Sequence, residues 1–499
     1  MSVEDVVVIG AGIVGACVAR ELSKYENLNV KLVEKELDVS CGTTKANTGI
    51  IHAGYDDDPL QYPVRARLCS KGNKLWHEMV EELNIHVNWC GSIVGATDDE
   101  EIAALELLLK RGIANNVPDL KLLVGEEARR LEPKLNNLKA ALYAPTEGTV
   151  LPFEAAIAIV ENAKSNGVLP ILDAKVVGIE QSNGCGFIVK TSAGDFKADW
   201  VINAAGLYGD EVSKMVGILE TNNGVDIKIR PRRGEYWIFP SEYGSPVKHI
   251  VFSVPSGATK GIVLTPDPEG SLIVGPNSEE LSSMDKEEKA TTRAGLNEVY
   301  KFVVGKWGPI LPPRNRCIKN FAGLRAEPQH GDFIVEGYKK CEGFINAIGI
   351  RSPGLTSAPM IAKEVLNVMV EQGFKGKVKD KWNPYRAPIP RAISLPYEQR
   401  RRLVSGDNRY SHLVCWCEGV SEGEIVEAIK RGARTIQGVS FRTRAGLGRC
   451  QGMSCQSKIV EILSRELGVP PEKVLLKSKG SEVLACRIKD LVGVSDESN

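Results

Sequence analysis

The stretch Asp5-Val-Val-Val-Ile-Gly10-Ala-Gly12-Ile-Val-Gly15, answered nineteen residues later by Glu34, decides the fold. Asp5 to Val8 opens a short apolar strand. Helical periodicity runs from Ala16 to about Tyr25, and a second strand, Val30 to Val33, ends at Glu34. Strand, glycine turn, helix, strand and acid in this order form a dinucleotide-binding βαβ unit. Gly10 makes the tight turn, Gly12 lets backbone N–H groups approach a pyrophosphate, and Gly15 lets the helix pack on the strand. The helix N-terminus offers unpaired N–H groups and a positive dipole end to phosphate, and Glu34 can accept hydrogen bonds from ribose hydroxyls.

Working outward, the nucleotide reads as FAD rather than NAD. After Glu34 comes a polar, glycine-bearing stretch, Ser40-Cys-Gly-Thr-Thr-Lys-Ala-Asn47-Thr-Gly49-Ile-Ile-His52-Ala-Gly54, which suits a loop threading along a long cofactor towards a flavin. Two later segments repeat the strand and glycine-turn pattern: Trp200-Val-Ile-Asn203 running into Ala-Ala205-Gly206, and Phe344-Ile-Asn-Ala-Ile-Gly349 running into Arg351-Ser-Pro-Gly354. Three such turns at the start, middle and end of one region imply a nucleotide domain built from discontinuous pieces. Between them, Glu100 to Arg111 and Gly125 to Leu131 read as amphipathic helices. Ile227 to Phe239 and Gly261 to Gly275 read as strands.

The expected architecture is α/β (α+β). A discontinuous Rossmann-like FAD domain (1–85, 150–225 and 320–375) carries an inserted antiparallel-sheet substrate domain (86–149 and 226–319). A Pro-, Lys- and Arg-rich linker (376–408) includes the run Arg400-Arg-Arg402, which reads as a solvated surface, with partner docking as the alternative. A small helical iron–sulfur domain (409–470) and a C-terminal tail (471–499) follow.

Composition narrows the function. Among 499 residues, Lys plus Arg and Asp plus Glu both total 63, so no excess of cations is available to neutralise a nucleic-acid backbone. The longest apolar run, Val6 to Ala19, is too short for a membrane span and is interrupted by three glycines. The first residues are acidic where a signal peptide would be basic. A cytoplasmic protein is expected, with any membrane association made through a partner subunit.

Eight of the twelve cysteines (Cys17, Cys41, Cys69, Cys90, Cys185, Cys317, Cys341 and Cys486) are scattered and read as small hydrophobes. The other four are organised: Cys415-Trp-Cys417, then Cys450-Gln-Gly-Met-Ser-Cys455. Neither pair has the C-x-x-C spacing usual for structural zinc. Four thiolates from two short loops suit an iron–sulfur cluster, with zinc or no metal as the alternatives. Ser421-Glu-Gly-Glu424 is a capping box that starts a helix to about Gly432, and Cys455 opens another whose N-terminal N–H groups favour negatively charged sulfur.

The tail from Val414 to Cys455, with Arg442-Thr-Arg-Ala-Gly-Leu-Gly-Arg-Cys450, closely resembles the bacterioferritin-associated-ferredoxin-like 2Fe-2S domain. The first 375 residues resemble the D-amino-acid-oxidase-like FAD superfamily. Within it, Asn47-Thr-Gly49-Ile-Ile-His52-Ala-Gly54, Arg233-Gly-Glu-Tyr236 and Phe321-Ala-Gly-Leu-Arg325 are similar to the glycerol-3-phosphate and L-2-hydroxyglutarate dehydrogenases. The combination resembles the large subunits of anaerobic-type glycerol-3-phosphate dehydrogenases. The resemblance implies cofactor contacts from Gly10, Gly12, Gly15, Glu34, Lys35, Thr43, Thr44, Asn47, Gly49, Val176, Ala205, Gly206, Gly349, Gly354, Leu355 and Thr356. It implies cluster ligation by Cys415, Cys417, Cys450 and Cys455. The chain departs from the pattern in two places. Tyr55-Asp-Asp-Asp58 stands where relatives carry Arg-Tyr, and Arg351 stands where relatives are often acidic.

Both neighbouring groups oxidise a secondary alcohol beside an anionic group, which requires a hydride acceptor, a base and a cation. His52 is the candidate base, against a role in packing on the flavin. Arg325 is the candidate anion grip, against a structural salt bridge, with Arg232, Arg233 and Arg351 as weaker versions. The remaining histidines (His77, His86, His249, His330 and His412) read as surface or packing residues. Three functions follow. The first is oxidation of sn-glycerol 3-phosphate to dihydroxyacetone phosphate, with electrons leaving FAD through a 2Fe-2S cluster to an electron-accepting partner subunit. The second is the same machinery on an L-2-hydroxy acid such as 2-hydroxyglutarate. The third is a non-catalytic electron-transfer or scaffold subunit.

Overall fold

The computed structural model describes residues 3–182, 186–255, 261–329, 331–486 and 488. Cys185, His330 and the end of the expected C-terminal tail lie outside them. The chain divides into two compact units: the residues up to Lys35 with Val39–Arg386, and Glu36–Asp38 with the residues from Ala387 onward.

The first unit is organised by two sheets. β1 (Glu4–Ile9) is a run of β-branched residues because it is flanked on both sides: β2 (Leu28–Val33) and the strand Trp200–Asn203 pair with it in parallel. Helix α1 (Ile13–Leu22) crosses between β1 and β2. The six-stranded sheet runs in the order Ile334–Tyr338, Cys341–Ile348, Trp200–Asn203, β1, β2, Leu169–Ile171. Only the Ile334–Tyr338 edge strand is antiparallel to its neighbour.

The second sheet of this unit has nine strands, built from residues 92–144 and 229–328. Its pairings are antiparallel except where Ile250–Ser253 lies parallel to Ser92–Ala96. The strand Lys319–Pro328 pairs along ten residues with Ile229–Phe239, so Arg325 belongs to this sheet and not to the nucleotide sheet. The sequence boundary at 320 therefore falls too early, because an apolar strand followed by glycine reads alike in either sheet. The single strand expected over Gly261–Gly275 is a hairpin, Val263–Pro266 and Leu272–Gly275. Asp267 makes the turn: its carboxylate accepts from the N–H groups of Glu269 and Ser271.

The second unit is small and helical. Its core includes Val414, Ile425, Val426, Val439, Ile459 and Leu463. The capping box forms: Ser421 accepts from the Glu424 N–H while the Glu424 carboxylate accepts from the Ser421 N–H. The span read as a linker is only partly one. Ile389 and Ala392 are buried, and Tyr397–Gly406 is a helix entered through Pro396. Arg401 and Arg402 are exposed, whereas Arg400 is half-buried and donates to the carbonyls of Ile393 and Leu395. The start of the expected tail also belongs to this unit, since Val474 is buried and Val483 packs on the same core.

Gly15 sets the distance between α1 and β1: a Cβ there would lie 1.8 Å from the Gly10 carbonyl oxygen. Gly15→Ala should therefore force the helix off the strand. The expected result is protein purified without flavin, read as loss of visible absorbance and a lowered melting temperature.

Candidate active site and cysteine cluster

The glycine turn adopts the geometry a dinucleotide needs. Gly10 has φ +101°, and a Cβ on it would meet the Ala204 carbonyl oxygen at 2.5 Å, so the turn packs directly on the end of the Trp200–Asn203 strand. Gly12 is the N-cap of α1, with no side-chain cap of its own. Two of the sequence-derived residues hold this turn. Glu34 accepts from the Ala11 N–H at 2.7 Å, and Thr44 accepts from the Ile13 N–H at 3.0 Å. Val176 lies in the core cluster with Ile9 and Val33, and the Ala174 N–H donates to the Glu34 carbonyl. Ala205 and Gly206 follow the middle strand, with Gly206 at φ +57°. A helix start whose N-cap is a glycine, with a buried carboxylate beside it, fits an ADP moiety.

The 43–54 segment is held by hydrogen bonds along its length. Thr43 donates to the Leu324 carbonyl at 2.7 Å, and Asn47 accepts from the Gly49 N–H. Gly49, at φ +72°, leaves a Cβ position only 2.0 Å from the Val150 carbonyl oxygen. The third turn meets this segment: the His52 N–H donates to the Thr356 hydroxyl at 2.8 Å, and the Trp76 indole donates to the Leu355 carbonyl. Gly349, at φ +65°, and Gly354, the first residue of the helix Gly354–Glu371, complete the turn. Lys35 is directed elsewhere, towards Glu287 at 3.4 Å and the face of Tyr208.

His52 is buried. Its Nδ1 accepts from the Gly54 N–H at 2.9 Å and lies 3.4 Å from Glu147 Oε1; its Nε2 lies 3.1 Å from Asp56 Oδ2. That last contact is out of line, so Nε2 has no aligned hydrogen bond among the described residues. Burial disfavours the imidazolium, but the carboxylates of Glu147 and Asp56 outweigh it and raise the His52 pKa well above its ordinary value. Neither carboxylate was singled out as a site residue from the sequence. Glu147 sits in a turn with no motif, and Asp56 is the first of three consecutive acids with different fates. Asp57 pairs with the buried Arg65 at 2.7 Å, and Asp58 accepts from the Leu60 N–H.

Arg325 donates through Nη2 to the Asn277 carbonyl at 3.2 Å, while its buried Nη1 has no aligned acceptor. Tyr236 is beside it: burial pushes the phenol pKa up and the Arg325 charge opposes the shift. The weaker arginine candidates are engaged with carboxylates, Arg232 with Glu280, Arg233 with Glu279 and Glu288, and Arg351 with Glu327. Four histidines prove to be packing or surface residues. His77 stacks on Trp89, while His86, His249 and His412 face Glu269, Glu132 and Glu422. Of the scattered cysteines, Cys17, Cys69 and Cys341 are buried, but Cys486 is exposed.

In the second unit the four organised cysteines stand as two interacting pairs, Cys415 with Cys455 and Cys417 with Cys450. A hydrogen bond from the Cys455 thiol brings the Cys415 pKa down to about 6 against burial, helped by the N–H groups of Gly446 and Glu418. The N–H groups of Ser454 and Gly452 do the same for Cys450 and lower its pKa. Glycines allow the close approach of these segments: a Cβ on Gly448 would lie 2.5 Å from Cys417 Cβ, and one on Gly446, at φ +87°, would lie 4.0 Å from Cys455 Sγ. Backbone donors aimed at clustered thiolates fit an anionic iron–sulfur group held by Cys415, Cys417, Cys450 and Cys455. Among the described residues no three ligand-type side chains close on a single-ion cage. No described helix is long and apolar enough to cross a membrane.

Comparison with known proteins gives a family for each of the two units. Residues 5–367 match the FAD dependent oxidoreductase family, and residues 413–465 match the BFD-like 2Fe-2S binding domain. The glycerol 3-phosphate dehydrogenase of Caloramator mitchellensis is 43% identical over 483 residues, covering 96% of this chain and 98% of that protein. The L-2-hydroxyglutarate dehydrogenase of Escherichia coli (strain K12) is 31% identical over 278 residues, covering 55% of this chain and 64% of that protein. The solved structure of dithionite-reduced L-α-glycerophosphate oxidase from Mycoplasma pneumoniae with FAD bound superposes with a TM-score of 0.70 at 29% identity. It covers 77% of this chain and 99% of that one. With its family model spanning the nucleotide sheet, the nine-stranded sheet and the turns that join them, this chain belongs to the FAD-dependent oxidoreductases, and it carries a 2Fe-2S binding domain after that region.

Proposed function

We propose that the protein oxidises sn-glycerol 3-phosphate to dihydroxyacetone phosphate. What carries the reading is the 43% identity to a glycerol 3-phosphate dehydrogenase along nearly the whole chain, including the cysteine-bearing second unit. The site supplies matching chemistry. Arg325, with a buried and unengaged guanidinium edge, holds the substrate phosphate. His52 Nε2 takes the hydroxyl proton as the C–O bond becomes a carbonyl. The nucleotide is held by Gly10, Gly12, Gly15 and Glu34, with Thr43, Thr44, Asn47, Gly49 and the Gly349–Thr356 turn along its length. Bound FAD supplies the acceptor for the hydride from carbon. The residues of the first unit thus bind, orient and deprotonate, and the second unit passes electrons on to a partner subunit.

The test is anaerobic bleaching of the flavin. Glycerol 3-phosphate should bleach it, whereas 2-hydroxyglutarate should not; bleaching by the hydroxy acid alone would transfer the reading to that substrate, and bleaching by neither would leave a scaffold.

Arg325→Ala should raise KM for glycerol 3-phosphate by roughly 10- to 150-fold, the equivalent of about 1.5–3 kcal/mol for one charge-assisted hydrogen bond. Steady-state constants within twofold of wild type would place the anion elsewhere.

Replacing any one of Cys415, Cys417, Cys450 or Cys455 with Ala should remove iron and the electron paramagnetic resonance signal of the reduced cluster while FAD stays bound. Such variants should still be bleached by substrate but lose turnover with the natural acceptor. Retained turnover would make the cluster structural.

A further inference from the structure

The cysteine-bearing loops of the second unit carry side chains that the scheme above does not use. Trp416 stands between Cys415 and Cys417, and Met453 between Cys450 and Cys455. Both face solvent: Trp416 is 73% exposed and Met453 88%. They do not pack the domain, whose core is formed by other residues. Single exposed apolar residues are ordinary on a protein surface. These two share one place, because Cys415 pairs with Cys455 and Cys417 with Cys450. Trp416 adjoins a member of each pair, Met453 lies between the other two members, and both rise from the rim of one cysteine group. Cys417 is itself exposed, so a sulfur of the group reaches the surface here. Ile393, also exposed, lies against Gly419 of the first loop, where a Cβ would meet it at 3.0 Å.

Charge completes the patch. The stretch Arg442–Lys458 holds four cations and no acid. Two of them are neutralised, Arg442 by Asp38 at 2.5 Å and Arg444 by Glu418 at 2.7 Å. The other two are exposed: Arg449 beside Cys450, and Lys458 in the first turn of the helix Gln456–Leu467. The first acid on that helix, Glu461, comes one turn later. An apolar centre with a charged rim is the anatomy of a protein-docking surface, and Trp, Met and Arg are enriched in such surfaces. Electron-transfer encounters are the class with the smallest contact areas, so a patch of this size is enough. Cations at its edge steer an acidic partner towards it and repel a basic one.

We propose that Trp416 and Met453, rimmed by Arg449 and Lys458, form the docking surface for an electron-accepting protein whose contact face is rich in carboxylates. The inference rests on electrons leaving through the second unit, as in the proposed function. The acceptor's carboxylates meet Arg449 and Lys458, an apolar part of its face covers the indole, and Cys417 lies within the covered area.

Two forms of cytochrome c, native and succinylated, test the surface. The native protein is strongly basic; succinylation turns its lysines into carboxylates around the same haem. Each glycerol 3-phosphate oxidised gives up two electrons and two protons. The electrons reduce two ferric haems, and the protons pass to solvent. With the full-length, FAD- and iron-loaded protein under anaerobic conditions, the succinylated form should be reduced at least about tenfold faster than the native form at low ionic strength. The preference should vanish at high salt, where surface charges are screened. Binding of ferric succinylated cytochrome c without substrate, read by biolayer interferometry, should weaken in parallel. Arg449→Glu and Lys458→Glu should each lower rate and binding by about fivefold or more for the succinylated form and raise them for the native form. Trp416→Ala should lower both at every salt concentration, because apolar contact is not screened. All three variants should keep the paramagnetic resonance signal of the reduced cluster and wild-type bleaching of the flavin by glycerol 3-phosphate.

Equal rates with the two cytochromes at low salt would overturn the proposal, as would K458E or W416A within about twofold of wild type in rate and binding. A dimer in sedimentation that W416A dissociates would also overturn it, since the face would then belong to a second copy of this chain. Should W416A lose the cluster signal, Met453→Ala takes its place with the same expectation. Cys450→Ala separates the two levels. If C450A, freed of iron, reduces succinylated cytochrome c at the wild-type rate, electrons leave by another route and the exit reading fails. If C450A does not reduce it while K458E or W416A matches wild type, the exit reading stands and the docking surface falls.

Discussion

The approach of α1 to β1 is the constraint on which the first unit depends. Gly15 lies so close to the Gly10 carbonyl that even one methyl group would collide with it, and Gly10 in turn lies against the Ala204 carbonyl. Three backbone segments therefore meet without side chains between them. This convergence puts the start of α1 at the ends of β1 and the Trp200–Asn203 strand, where an anionic group can reach the helix N–H groups. Glu34 and Thr44 then fix the turn from two further segments.

The same device recurs where the two sheets of this unit come together. Gly323 on the Lys319–Pro328 strand lies against Ala46, with a Cβ position 2.0 Å from the Ala46 carbonyl oxygen. Gly72 on the helix Pro63–Leu83 approaches the Thr356 carbonyl equally closely. These contacts tie the 43–54 segment, the Arg325 strand and the third glycine turn into one region. Close backbone contacts of this kind leave little freedom for sliding, because any shift opens a void or makes a clash. The candidate base and the candidate anion grip are thus fixed by backbone packing on separate elements, and a pre-organised site needs that.

Much of this was legible in the sequence. The βαβ unit, the later glycine turns and the cysteine pairs are local patterns in which spacing carries the chemistry, and the described residues bear out the elements they imply. Two of the features missed depend on contacts across long separations, and one is a local turn inside an apolar stretch. Arg325 was a candidate grip, yet its membership of the nine-stranded sheet follows from pairing with a strand roughly ninety residues earlier. Asp267-Pro-Glu-Gly270 hides a hairpin turn inside an apolar stretch. Glu147 faces a histidine 95 residues away in sequence, and nothing in Thr146-Glu-Gly148 distinguishes a buried carboxylate from an exposed turn acid. Burial decides which of the two it is, and a single sequence does not display burial.

Electrostatics then sets the terms on which an anionic substrate can be handled here. Glu147 and Asp56 place two carboxylates against His52, and by themselves they would repel a phosphate ester. Protonated His52 neutralises part of that charge, and the guanidinium of Arg325 supplies the opposite sign from the neighbouring sheet. Binding of the anion is therefore favoured by an imidazolium, whereas taking up the hydroxyl proton requires a neutral imidazole. Under the proposed function, the carboxylates that raise the His52 pKa favour the charged ring, and so favour binding of the anion over uptake of the proton. Asp57 and Asp58 do not disturb it, because Arg65 neutralises the first and the second turns to the Leu60 N–H and Arg111. Of three acids in a row, Asp56 is the one whose carboxylate stands against the imidazole.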